Sequence, residues 1–124
     1  MLFRSYRDDL ARVRAFAAGH ARRAGLPDRL VRDLVIAVGE LAGNTLVHTT
    51  GAGTVAIWAT PHEVICQVHD TGRIEDPLTG RLRPDPSELG GGRGLWVANQ
   101  LCDLVEIRTG RNGTQIRLHM RLPA

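Results

Sequence analysis

The segment TQIRLHMR, residues 114–121, has the pattern that decides the fold. Every second residue is apolar or a threonine, and the residues between them are polar or charged, with Ile116, Leu118 and Met120 in the first set. This strict alternation is the period of a β-strand with one buried face and one solvated face. Such a strand needs a second layer over its apolar face, so the segment predicts a sheet packed against helices.

Other strands are predicted on either side of the chain's midpoint. Residues 54–59 and 63–70 are rich in Val and Ile and are separated by a short turn with a proline, which is typical of a hairpin. Residues 104–109 and 114–120 predict a second hairpin. Only residues 2–4 remain to form a strand before the first helix.

Two longer segments have helical spacing instead. Apolar residues recur every three or four positions over residues 8–24 and again over residues 27–47, with Gly25 ending the first helix and Pro27 opening the second. Residues 93–101 predict a short third helix. We therefore expect an α+β fold, a two-layer sandwich with a mainly antiparallel or mixed sheet covered by helices on one face. A doubly wound fold would require a regular strand–helix alternation that this order lacks.

Length and composition limit the function classes. The 124 residues suit a single domain over residues 1–124, with 43% hydrophobic residues to fill its core. Arginine supplies all 16 basic residues against 13 acids, and eight of these arginines face only four aspartates in residues 1–33. We interpret this excess as a solvated helix face or a site for an acidic protein partner, with no direct nucleic-acid binding, because few aromatic residues accompany it.

The number of cysteines and the lengths of the apolar runs indicate the cellular compartment. Two cysteines, Cys66 and Cys102, are too few for a disulfide framework and lack zinc-site spacing. Charged residues interrupt every apolar run before it reaches the roughly 18 residues of a membrane span. The sequence therefore predicts a cytoplasmic protein without membrane association.

Three polar clusters are candidates for a binding site. Glu40, Asn44 and His48 follow each other at intervals of four, so they share one side of the second predicted helix. A carboxylate there can accept a proton, and an amide oxygen can bind Mg²⁺. By itself this pattern is also that of an ordinary polar helix face.

The second cluster ends a predicted strand, and the third begins a helix. Asp70 and Gly72 form an Asp-x-Gly turn whose carboxylate can accept a hydrogen bond from an exocyclic amine. Gly90–Gly94 supplies four glycines and Arg93 directly before the third helix, where free amide groups favour an anion. Together the three clusters offer a metal ligand, a group for base recognition and a phosphate-binding segment, which is the composition of a nucleotide site.

The clusters also resemble a known family. The segments GELAGNTLVH at residues 39–48, DTG at residues 70–72 and GGRGLWVANQLCD at residues 91–103 are similar to the N, G1 and G2 boxes of the GHKL ATPases, above all the anti-sigma-factor serine/threonine kinases. The likeness extends over residues 8–120. It implies the Bergerat-type sandwich fold, ATP and Mg²⁺ as ligands, and a lid within residues 72–92.

The resemblance also assigns roles by position. It makes Glu40 the general base, Asn44 the Mg²⁺ ligand, Asp70 the group that binds the adenine amine and Thr114 its support. Further nucleotide-binding positions implied by the boxes are His48, Gly72, Ile74, Gly91, Gly92, Arg93, Gly94 and Leu95. Ile74 is a departure, because the family usually has a second glycine at that position.

The expected function is that of a regulatory kinase that phosphorylates an anti-anti-sigma antagonist on serine or threonine, and its expected protein partners are a sigma factor, that antagonist or both. Family members often pair, so a homodimer is expected. Two alternatives stay open: a non-catalytic module that sequesters its partner depending on nucleotide, and the ATP-binding part of a larger sensor protein. A complete sensor histidine kinase would require a phosphoacceptor helix pair, which residues 8–24 alone do not supply.

Overall fold

The computed structural model describes residues 2–6, 9–48, 53–70, 92–111 and 113–123, with side-chain surroundings for residues 9–43, 53–70, 94–111 and 113–123. Five strands and three helices follow one another along these segments. In chain order the elements are β1 (Leu2–Tyr6), α1 (Leu10–Arg23), α2 (Asp28–His48), β2 (Gly53–Ala59), β3 (Glu63–Asp70), α3 (Gly92–Leu101), β4 (Leu104–Gly110) and β5 (Gly113–Arg121).

The strands form one antiparallel sheet with the order β1-β2-β3-β5-β4. The hairpins β2–β3 and β4–β5 arise from sequence neighbours, whereas the pairing of β3 with β5 joins the two halves of the sheet. The predicted α+β fold is thus confirmed, and it is consistent with a two-layer sandwich. The first strand is longer than expected, because it pairs with β2 as far as Tyr6, which is opposite Gly53.

The helices cover one face of the sheet. Residues at alternating strand positions, such as Val55, Cys66 and Leu118, form a single buried cluster with Val13 of α1 and Leu34 of α2. Val13, Leu34, Cys66 and Leu118 are fully buried. The hydrophobic stripes deduced from the 3.6-residue and 2-residue periods therefore meet in this one core.

A short turn joins the first two helices into an antiparallel hairpin. Gly25 has a φ of 98°, in the left-handed region that ends many helices. The amide of Gly25 donates to the carbonyl of Arg22 at 3.0 Å, and the amide of Leu26 donates to that of Ala21 at 3.1 Å. These bonds close α1 before Pro27 opens α2, so α2 folds back along α1 and contacts it extensively.

The other face of the sheet is covered by its own long side chains. The ring of His119 lies between two carboxylates, with Nε2 2.6 Å from Oε1 of Glu106 and Nδ1 3.2 Å from Oε2 of Glu63. Only the Glu106 contact has hydrogen-bond geometry. The guanidinium of Arg117 stacks 5.2 Å from the ring centroid of Trp58 and donates to Gln67 at 2.9 Å. His119 is consequently buried, at 8% exposure, although the alternation of β5 predicts a solvated position.

No helix in the part of the chain that the structure describes combines the length and the apolar character required to span a bilayer. The longest of these helices, α2, contains charged residues in both its halves, including Asp33 and Glu40.

Candidate functional site

The end of α2 is fixed by the core on one side and displays the first polar cluster on another. Leu41 and Ala42 are buried against the sheet, which sets the rotation of the helix. Glu40, next to them, is partly buried. Asn44 and His48 belong to the same helix, at intervals of four residues, so their backbone positions continue from Glu40 along one side towards its C-terminal end.

Asp70 occupies the last position of β3 and is flanked by two neighbouring strands. Its cross-strand partners are Gly53 of β2 and Thr114 of β5. Directly opposite residues in an antiparallel sheet have Cα atoms about 4.5–5.5 Å apart. The partly buried carboxylate of Asp70 therefore has a residue without a side chain on one side and a threonine on the other.

Thr114 connects Asp70 to the edge of the sheet. Thr114 is 3% exposed. Its Oγ1 donates a hydrogen bond at 3.2 Å to Oγ1 of Thr109, which lies opposite it on β4. Buried hydroxyl groups are kept in place by such partners. The row Gly53, Asp70, Thr114 and Thr109 thus forms a polar end to the otherwise apolar inner face of the sheet.

Chain connectivity brings the end of α2 close to this row. Helix α2 ends at His48 and β2 begins at Gly53, so four residues join them. The five Cα–Cα steps from His48 to Gly53 span at most about 18 Å when fully extended. Because Gly53 is the partner of Asp70, the C-terminal end of α2 and the carboxylate-bearing end of β3 lie at the same end of the sandwich.

Helix α3 packs along α2 and has its N-terminal end, not its C-terminal end, towards the same end of the sandwich. Its C-terminal end is followed by Cys102, which is near Asp33. Burial raises the pKa of the Cys102 thiol to about 12, and the carboxylates of Asp103 and Asp33 contribute because they disfavour a thiolate. Asp33 belongs to the first third of α2, and α3 packs along α2. Because the C-terminal end of α3 lies near Asp33, its N-terminal end is directed towards the half of α2 that contains Asn44.

The first turns of α3 are anchored by small and apolar residues. Gly94 and Leu95 are buried, the latter almost completely, and Ala98 joins the same core cluster. The side chain of Asn99 also bonds to this turn, because its Nδ2 donates a hydrogen bond to the carbonyl of Leu95 at 3.1 Å. Burial of the helix start fixes where its N-terminal amide groups lie.

The described elements therefore gather the candidate residues from three distant parts of the chain. Glu40, Asp70, Gly94, Leu95 and Thr114 lie within described surroundings, and Asn44, His48, Gly92 and Arg93 are placed by the backbone of their helices. Gly72, Ile74 and Gly91, and with them the expected lid at residues 72–92 up to the start of α3, lie outside the described residues.

Two positions in the row that contains Asp70 were not predicted from the sequence. Gly53 and Thr109 become neighbours of the candidate site only through strand register, which no local pattern contains. Among the described side chains, no group of three or more His, Cys, Asp or Glu residues could hold a metal ion.

Comparisons with known proteins point to a nucleotide-binding domain. The family model described as "Histidine kinase-like ATPase domain" matches residues 3–120, nearly the whole chain. No curated protein matches.

A solved structure shares the fold. It is a chain of the crystal structure of the SiaB–SiaC complex from Pseudomonas aeruginosa, with 14% sequence identity and a TM-score of 0.65. The alignment covers 97% of this chain and 89% of that chain. At this identity the similarity concerns the fold alone.

Proposed function

This chain belongs to the histidine kinase-like ATPase domain family, and on that premise we propose that it is an ATP-dependent regulatory protein kinase of the anti-sigma-factor type. Its substrate is a serine or threonine hydroxyl of an antagonist protein, and its nucleotide is ATP with Mg²⁺. That antagonist controls the release of a sigma factor. The SiaB–SiaC structure is that of a two-protein complex, and this similarity supports a protein partner.

The nucleotide is recognised at the polar end of the sheet. The carboxylate of Asp70 accepts a hydrogen bond from the exocyclic amine of adenine, and the buried hydroxyl of Thr114 supports it from the adjacent strand. Gly53 leaves space on the other side for a flat ring to approach the backbone. These residue types fit an adenine base, which offers an amine donor where guanine has a carbonyl oxygen.

The phosphates are held at the start of α3. Gly92 and Gly94 contribute amide groups of the first helical turn, and Arg93 adds a positive charge. Magnesium neutralises charge on the phosphate oxygens when it is bound, and the amide oxygen of Asn44 is the protein ligand that suits this hard cation. His48, one turn further along α2, borders the same region.

Glu40 then activates the partner's hydroxyl group. Its carboxylate takes the hydroxyl proton while the oxygen forms a bond to the γ-phosphorus, and the bond from that phosphorus to the bridging oxygen of ADP breaks. Such transfers depend chiefly on positioning and charge neutralisation. The supporting observation is the meeting of three elements, because the ends of α2 and β3 and the start of α3 lie at one end of the sandwich.

Nucleotide binding is tested first, by calorimetry with Mg-ATP and Mg-GTP on the full chain. We expect saturable binding of ATP and much weaker binding of GTP. A folded sample that binds no ATP at millimolar concentration would falsify the site.

Catalysis is tested separately with Glu40→Gln. We expect unchanged ATP affinity and a loss of roughly 10²- to 10⁴-fold in transfer of radiolabelled phosphate to the antagonist, which is the usual contribution of a general base. Glu106→Gln, an exposed carboxylate on the far face of the sheet, is the matched control and should retain full activity. Equal activity of the Glu40→Gln protein and the unsubstituted chain would remove Glu40 from this role.

A second candidate function is a switch without catalysis, in which ATP changes affinity for the partner and no phosphate is transferred. Ile74 favours it, because a branched side chain replaces a glycine of the family's motif near the base. Partner affinity that depends on nucleotide, without phosphorylation over several hours, would decide for the switch.

A further inference from the structure

The outer surface of the α1–α2 hairpin contains an open groove of about 380 Å³. Its floor is apolar and is formed by Ala15 and Ala18 of α1 and by Val31 and Val35 of α2. Ile36 lines one side and is 49% exposed, although large apolar side chains at comparable exposure are rare in the described chain. The groove faces away from the sheet and is separate from the polar end where we place the nucleotide.

Arginines border this apolar floor. Arg14, Arg22 and Arg32 line the groove, and all three are exposed. Among the described side chains, Arg22 alone of the three forms an ion pair, with Nε 3.4 Å from Oδ1 of Asp28. Both of these side chains are well exposed, so the pair contributes little free energy and does not hold Arg22 in place. Helix α1 itself contains four arginines and no acid. The border is therefore positively charged around a hydrophobic centre.

The side of α2 that lines the groove continues to the residue that we assign to catalysis. Arg32 and Ile36 precede Glu40 at intervals of four, so all three follow one side of α2. One interval corresponds to about 6 Å along the helix axis. Arg14 also reaches this point, since its Nε would lie only 3.2 Å from a Cβ placed on Gly39. A segment lying in the groove would thus end beside the carboxylate of Glu40.

We infer that this groove is the docking site for an acidic amphipathic helix of the phosphate-accepting partner. Apolar side chains of that helix, spaced at i, i+3 or i+4 and i+7, would lie on the apolar floor and against Ile36. Its Asp and Glu residues would meet the arginines, whose planar groups bind carboxylates in pairs of hydrogen bonds. The inference rests on the proposed kinase function for the identity of the partner, whereas the chemistry of the groove does not depend on it.

Other occupants fit the surface less well. A second copy of this chain, related by a twofold axis, would bring one set of arginines against the same set. An anionic membrane could neutralise the arginines, but its flat surface could not enter a recess between two helices. The row of side chains on a partner helix can enter such a recess. Charge complementarity and the recessed apolar floor both favour an acidic helix.

The test begins with peptide selection on the immobilised full chain. A phage library of helix-forming 16-residue peptides with random surface positions is selected against the protein, and the best binder is synthesised with a fluorescent label. We expect selected peptides to be rich in Asp and Glu around a stripe of Leu, Ile or Phe. The inference is wrong if the selection yields no binders, or if the selected peptides are not enriched in Asp and Glu.

Variants then locate the peptide. Ile36→Gln should weaken its binding about tenfold through loss of apolar contact, and Arg32→Gln should weaken it about two- to fivefold, with a reduced dependence on salt. The matched controls are Leu104→Gln, at 50% exposure, and Arg108→Gln, both on the edge strand β4. The controls should bind as the unsubstituted chain does.

Measuring ATP affinity on the same proteins separates the two proposals. Peptide binding that is insensitive to Ile36→Gln and Arg32→Gln refutes the docking site, even if ATP binds normally. Absence of ATP binding refutes the proposed function, while groove-dependent peptide binding would still stand. A control peptide, in which Gln replaces every Asp and Glu of the selected peptide, should bind more weakly. Equal binding of the two peptides, or self-association of the chain that only Ile36→Gln abolishes, would also overturn the inference.

Discussion

Substitution of Asp70 by Asn should weaken ATP binding and reduce the preference for adenine over guanine. The change is nearly isosteric and removes only the charge and one acceptor site. A hydrogen bond to a charged group contributes about 1.5–3 kcal/mol and a neutral one about 0.5–1.5 kcal/mol, so replacing the first by the second should raise the Kd for ATP by roughly 5- to 13-fold. The position of Asp70 between Gly53 and Thr114 leaves the fold itself intact.

Selectivity gives a second measurement of the same contact. The carboxylate repels the carbonyl oxygen that guanine presents at the position of the adenine amine, whereas the amide group of Asn can donate a hydrogen bond to it. We therefore expect the ratio of GTP to ATP affinity to rise in Asp70→Asn. Fluorescent ATP and GTP analogues, titrated against the full chain and competed with unlabelled nucleotides, provide both constants.

The matched control is His69→Asn, the adjacent position on the opposite face of the same strand. It should bind ATP with the affinity of the unsubstituted chain, and thermal unfolding of both variants checks that they are folded. If Asp70→Asn retains both ATP affinity and selectivity, the argument that the polar end of the sheet recognises adenine is wrong.

Two further predictions concern the core. Burial raises the pKa of the thiols of Cys66 and Cys102 to about 12, so neither should be alkylated by iodoacetamide at about pH 8 unless the chain is unfolded. In the unfolded chain these thiols lose their protons at a lower pH than in the folded chain. The free energy of unfolding should therefore fall between about pH 9 and pH 12, by about 1 kcal/mol per pH unit for each thiol. The fall should be less steep in a Cys66→Ala variant, which has only one of the two thiols. Leu118→Ala should cost about 2–5 kcal/mol in urea unfolding, whereas Leu104→Ala, half-exposed, should change stability by less than about 1 kcal/mol.

Periodicity was sufficient to predict the elements because one hydrophobic core covers one face of each. The strand predicted at residues 63–70 has the bounds of β3, and the helices differ from prediction by one or two residues at their ends. The turn at Gly25 was identifiable because few residues other than glycine adopt its φ. A local sequence pattern therefore predicts the structure at a position when the conformation there depends mainly on the helix, strand or turn to which the residue belongs.

Residues that depend on distant partners were not predictable in this way. His119 alternates with apolar neighbours and therefore has the pattern of a solvated position, yet Glu63 and Glu106 from two other strands cover it. The groove has the same origin, since its floor combines alanines of α1 with valines of α2. Both features arise from register and helix packing, which join residues that are far apart in the sequence.

The candidate site also depends on this long-range geometry, and α2 links its parts. One side of this helix packs on the core through Leu34 and Leu41, and another carries Ile36 of the groove one turn before Glu40. A helix held so firmly moves as a unit, so an occupant of the groove and a nucleotide near Asn44 would act on the same rigid body. Any coupling between them is reciprocal: if ATP tightens partner binding by some factor, the partner tightens ATP binding by the same factor. The kinase and the switch would therefore share this geometry and differ only in whether Glu40 completes the transfer.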